Sequence, residues 1–147
     1  MKKIFKSCTI YQKPKAFYIF PVLQTPYGGI SKTPATDLRA SATPLELGGA
    51  ILQILDELPG ESVDVDLGQS MATFRSYIKE LGFKNVAAFE KKASVASVHF
   101  DAEAYKVISY EKDARNANVA TGSKMLPVTA TAEEIGTAVL VAVSEAA

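Results

Sequence analysis

Along the chain, residues 4–11 (IFKSCTIY) and 16–23 (AFYIFPVL) stand out as runs rich in β-branched and aromatic side chains. Gln12-Lys13-Pro14-Lys15 supplies turn chemistry between them, so the pair predicts a β-hairpin. Residues 93–100 (ASVASVHF) and 104–110 (AYKVISY) flank Asp101-Ala102-Glu103 and predict a second one. A loop of turn residues follows each hairpin, 24–29 after the first and 113–118 after the second. Each loop leads through a short extended stretch into a helix with a clear start. Thr43-Pro44-Leu45-Glu46 is a capping box with proline at the first helical position, and Thr131-Ala132-Glu133-Glu134 repeats the device. The apolar positions that follow, Leu47, Ile51, Ile54, Leu55 and Leu58, fall on one helical face, as do Ile135, Val139, Ala142 and Val143.

The halves align at a constant offset of 88 positions, which carries Thr43 to Thr131, Glu46 to Glu134, Gly48 to Gly136, Phe17 to Tyr105, Ile19 to Val107 and Leu38 to Leu126. The chain is a pseudo-repeat of hairpin, strand and capped helix; duplication and parallel use of one solution both account for it. Glycine inside a helix costs about 1 kcal/mol relative to alanine. Its recurrence at Gly48 and Gly136 predicts backbone packed closely on the sheet. Between the units, 59–68 reads as a loop. Ser70 then caps a helix carrying Phe74, Ile78 and Leu81, closed by Gly82, and Asn85 starts a short helix to Lys92 with Val86 and Phe89 inward. The expected fold class is α+β: a mainly antiparallel sheet of five or six strands with three or four covering helices. One domain, 1–147, is expected from the length.

Composition narrows the chemistry. One cysteine and one histidine leave no material for a disulfide framework, a cysteine-based zinc site or a multi-histidine metal centre. No metal or other cofactor is therefore expected. Cys8 reads as a small core residue, and Gly28-Gly29 as a turn needing positive φ rather than a phosphate cradle. Asp64 and Asp66 lack the glycine and closing glutamate of a calcium loop. His99 lies near Asp101 and Glu103, which would suit a small hydrolase or transferase with a carboxylate orienting the base; a strand histidine with ordinary contacts is the simpler reading. The lysine-rich start has no h-region of signal length, and no run approaches the ~18 apolar residues of a membrane span. A cytoplasmic location without a membrane partner is expected.

The balance of 16 basic and 16 acidic side chains argues against a nucleic-acid footprint over the whole surface. It also hides a polarised sequence. Residues 1–32 carry six lysines and no acid, whereas 40–74 carry Glu46, Asp56, Glu57, Glu61, Asp64 and Asp66 and no base. The last five crowd the end of the first helix and its loop, where carboxylates are mildly unfavourable against the helix dipole. A solvated loop explains them, and so does a surface that steers a basic partner.

Lys6-Ser7-Cys8-Thr9-Ile10-Tyr11, followed by Phe17-Tyr18-Ile19-Phe20-Pro21, resembles the start of one family of immunity proteins from bacterial contact-dependent growth inhibition systems. Thr25-Pro26-Tyr27-Gly28-Gly29-Ile30 is similar to that family's threonine-x-x-glycine loop, and Glu46-Leu47-Gly48 and Glu133-Glu134-Ile135-Gly136 to its helices. The resemblance implies a small non-enzymatic protein that needs no cofactor. It would bind and neutralise the C-terminal toxin domain delivered by a neighbouring cell, commonly a nuclease and often one acting on tRNA. The resemblance also admits a homodimer and implies no direct contact with nucleic acid. Asp56, Glu57, Glu61, Asp64 and Asp66 are the candidate toxin contacts, with Tyr27 as an aromatic anchor.

Overall fold

The computed structural model describes residues 5–115 and 117–145; Ile4 of the first predicted strand and Asn116 of the second predicted turn lie outside the described residues. The first unit comprises β1 (Lys6–Gln12), β2 (Ala16–Thr25), β3 (Gly28–Ser31), β4 (Thr36–Arg39) and α1 (Pro44–Glu57). Helices α2 (Leu67–Glu80) and α3 (Val86–Glu90) lie between the units. The second unit comprises β5 (Ser94–Phe100), β6 (Ala104–Lys112), β7 (Asn118–Pro127) and α4 (Ala132–Glu145). The strands form one antiparallel sheet in the order β3-β2-β1-β5-β6-β7, with β4 also on β2. The expected α+β architecture is thus present, with seven strands and four helices among the described residues.

The offset of 88 holds in three dimensions. Ser7 pairs with Val22 as Val95 pairs with Tyr110, and Phe17 pairs with Leu38 as Tyr105 pairs with Leu126. Thr9, which the offset carries to Ser97, pairs with Ser97 itself, so a pseudo-twofold axis passes through that pair at the centre of the sheet. Helices α1 and α4 are also related by the offset. Both capping boxes are complete: Thr43 and Thr131 each donate N–H to Glu46 and Glu134 at 3.0 Å and accept from their amides at 3.2 Å. The symmetry breaks in the third strand. The second unit has one long strand, β7, where the first has β3 and β4 separated by residues 32–35. There the amide of Ala35 donates to the Tyr77 hydroxyl of α2 at 3.0 Å, so the interruption receives a helix side chain.

Strand alternation divides the core in two. On the first face Cys8, Ile10, Phe17, Ile19, Ala96, Val98 and Val107 pack against Leu47, Ile51, Ile135 and Val139 of α1 and α4. On the second face Tyr11, Phe20 and Val95 pack with Ile78 and Phe89 of α2 and α3. Phe89 sits at the centre of that aromatic group, 5.0 Å from the Tyr11 centroid and 5.1 Å from that of Phe83. The burial of Cys8 pushes its thiol up to about 12, which leaves it a packing residue.

Two local expectations change. Gly48 and Gly136 pack on each other's helix rather than on the sheet. A Cβ on Gly48 would stand 1.7 Å from the Ala132 carbonyl oxygen, and one on Gly136 1.8 Å from that of Pro44. The pseudo-axis makes the two helix starts mutual neighbours, so only glycine permits the contact. Helix α2 begins at Leu67 and not near Ser70, because the Asp66 carboxylate caps it by accepting from the Gln69 amide at 2.9 Å.

Candidate interaction surface

The strand registers gather the predicted contact residues at one end of the sheet. There β1 begins and β2 and β5 end, since Ser7 pairs with both Val22 and His99. The loop after α1 is fastened across this end by two backbone bonds: Phe5 N–H to the Gly60 carbonyl at 3.0 Å and Val63 N–H to the Gln24 carbonyl at 2.8 Å. Glu61 and Asp64 flank Val63 and are exposed beside the β2–β3 turn that carries Tyr27. That turn is rigidly defined. The Thr25 hydroxyl accepts from the Tyr27 amide at 3.0 Å and donates to the Gly28 carbonyl at 2.9 Å, and Gly28 takes φ 108°. The Tyr27 side chain is left 71% exposed.

The other candidates are less uniform. Glu57 is exposed at the last position of α1, where its carboxylate accepts from Gln53 at 3.4 Å. Asp56, also exposed, lines a cavity of about 400 Å³ whose wall includes Lys6, Phe100 and Tyr105. Asp66 is engaged as the α2 cap and also borders a hollow with Leu23 and Ile30. Beyond it, Ile30, Leu67, Met71, Phe74 and Val86 line a larger groove of about 520 Å³, with Met71 half exposed. This apolar groove was not anticipated; it arises where α2 and α3 pass β3, a tertiary juxtaposition with no local sequence signal.

His99 is oriented by a different group from the one expected. Its Nε2 lies 3.1 Å from the Ser97 hydroxyl, which in turn lies 2.9 Å from the Tyr110 hydroxyl. Asp101 instead holds the β5–β6 turn by accepting from the Glu103 and Ala104 amides at 2.9 and 3.0 Å. The His99 pKa is lowered by burial first and by the positive charge of Lys106 second. Ser97 is the nucleophile type that sequence reasoning missed; two residues apart on a strand, the two side chains share a face. Ser97 is only 4% exposed, however, and neither residue lines any cavity described above. The triplet reads as a satisfied polar cluster on the sheet. Among the described residues no group of three metal-ligating side chains comes together, and no helix is long and apolar enough to cross a membrane.

Comparison with known proteins adds fold-level information. No family model matches the sequence, and no curated protein matches it. Two solved structures share the fold over nearly the whole chain. A protein of unknown function from Neisseria meningitidis superposes with a TM-score of 0.84 at 15% identity, covering 100% of this chain and 99% of that one. A chain of the CdiA-CT/CdiI toxin and immunity complex from Yersinia pseudotuberculosis superposes with a TM-score of 0.84 at 13% identity, covering 99% and 100%. This chain therefore has the fold of a component of a toxin–immunity complex.

Proposed function

We propose that this protein is an immunity protein, which binds the toxin domain of a contact-dependent growth inhibition system and neutralises it without catalysis. The observation that carries the reading is the fold shared end to end with a chain of a toxin and immunity complex. The surface supports it. Glu57, Glu61 and Asp64 project from one end of the sheet beside the exposed Tyr27, and the apolar groove at Leu67 and Met71 adjoins Asp66. Exposed aromatic and apolar anchors rimmed by charge suit a protein interface. A carboxylate rim also suits a basic partner. A nuclease must bind polyphosphate, so its cleft is rich in lysine and arginine, and the acidic end would occupy that cleft or lie beside it and exclude the nucleic acid. Asp56 and Asp66 belong to this surface in a lesser role, the first turned toward the Lys6 cavity and the second serving as a helix cap.

Protection at intracellular concentrations calls for a dissociation constant of about nanomolar, near 12 kcal/mol. An interface of ~1,600 Å² supplies this when a few anchors are well buried. The test is co-expression with the toxin open reading frame beside this gene. Rescue of growth and co-purification of the two chains are expected, for His99→Ala as for the wild type. Growth arrest despite good soluble expression contradicts the reading.

A further inference from the structure

The sheet end opposite the acidic loop carries an inference independent of the toxin reading. At that end β1 finishes, β5 starts and β6 finishes, because Gln12 pairs with Ser94 and Val95 with Tyr110. Lys13, Lys92 and Lys112 flank these three strand ends. They meet closely enough that the charges of Lys112 and Lys92 add to burial in lowering the pKa of Lys13. The ammonium of Lys13 is held by the Lys91 carbonyl and stands 5.2 Å from the Phe83 ring centroid, over the aromatic edge of the α2–α3 layer. Lys92 adopts φ 59°, a left-handed conformation that is unfavourable for a side-chain-bearing residue. The Nζ of Lys112 is shut off from solvent and has no hydrogen-bond partner. The carboxylate next to it in sequence, Asp113, accepts instead from the amides of Arg115 and Ala117 at 2.8 and 2.9 Å.

A shielded ammonium without an acceptor is unfavourable, and like charges around it make it more so. An anion that draws the Lys112 side chain outward to meet it beside Lys13 and Lys92 would relieve both. We propose that Lys13, Lys92 and Lys112 form a binding site for a small, multiply charged oxyanion of the phosphate class. Lysine ammonium groups are compact charges whose rotatable donors suit phosphate oxygens. With three cations on a chain of zero formal net charge, the site fits a free phosphate compound and not the backbone of a nucleic acid.

The test is calorimetric titration of the full chain with inorganic diphosphate, and separately with a short single-stranded RNA, at constant ionic strength. Saturable one-to-one binding of diphosphate is expected. It should weaken about tenfold in Lys112→Gln and in Lys92→Gln, the loss of one charge-assisted hydrogen bond. The Lys6→Gln variant at the opposite end should bind as the wild type does. Lys92 is exposed, so its variant keeps the test decisive if Lys112→Gln does not fold. Absence of saturable binding, wild-type affinity in both cluster variants, or the same loss in Lys6→Gln would overturn the proposal. RNA binding tighter than diphosphate would overturn the free-ligand assignment.

Discussion

The two halves of the molecule share a backbone plan and a first face but differ on the second face. On the first face the offset pairs like with like: Cys8 with Ala96, Ile10 with Val98, Leu47 with Ile135 and Ile51 with Val139, all of them buried. On the second face it pairs Tyr11 with His99, Tyr18 with Lys106 and Phe20 with Ile108. The aromatic trio lies beneath α2 and α3, whereas among the described residues the second trio stays partly or fully exposed. Apolar character is kept where the halves bury each other, and on the second face the aromatic cluster lies where the inserted layer covers it. The unshared elements, namely the split third strand, the acidic loop and α2–α3, build the proposed toxin surface. On the proposed reading, function in this chain is carried by what breaks the symmetry.

The largest expected effect separates the two second faces. Phe89→Ala empties the centre of the covered half and should cost about 3–5 kcal/mol in urea unfolding. Ile108→Ala on the less covered half should cost about 1 kcal/mol, since far less area is removed from contact. Equal losses would refute the distinction. The next effect probes the shared face. Gly48→Ala and Gly136→Ala each drive a Cβ against a backbone carbonyl and should each cost about 2–3 kcal/mol despite the better helix propensity of alanine. Because both push the same two helix starts apart, the double variant should lose less than the sum. Gly49→Ala, one position along with open space around it, should gain up to about 1 kcal/mol.

Smaller effects follow at the caps and with pH. Thr43→Ala and Thr131→Ala should each cost about 1 kcal/mol, and by nearly equal amounts if the units are equivalent. His99 has a folded pKa below its ordinary 6.5, so the unfolded chain binds the extra proton first as pH falls. Its contribution is present above about 6.5 and is lost as pH drops through the folded value; His99→Gln should remove that slope. Glu46 and Glu134 are held below the ordinary 4.5 by the backbone amides of Thr43 and Thr131. Their capping contribution is present above that value and fades below it, in a lower pH window than that of His99. Unfolding free energies measured from about pH 3 to about pH 8 (about one and a half units beyond the two ordinary values) would resolve the two.

Much of this plan was legible in the sequence because local rules and global fold agree. The hairpins, the capping boxes and the offset follow from β-branched and aromatic runs punctuated by turn residues and from side chains that name their own backbone partners. The direction of Gly48 and Gly136 was not legible: periodicity identifies the buried face of a helix but not the neighbour it meets. The start of α2 was obscured by two competent caps, Asp66 and Ser70, four residues apart. At the candidate surface the sequence supplied the charges and Tyr27. It did not supply the backbone bonds at Gly60 and Val63 that fix them at one end, nor the groove at Leu67 and Met71, because both depend on long-range packing.

The most direct test of the central claim is the association rate of the purified protein with the toxin domain encoded beside it, measured across a salt series. The comparison is between the wild type and a variant carrying Glu57→Gln, Glu61→Gln and Asp64→Asn, which spares the Asp66 cap. The account predicts slower association by about tenfold or more at low salt and a flattened salt dependence. Rates and salt dependence unchanged from the wild type would contradict it.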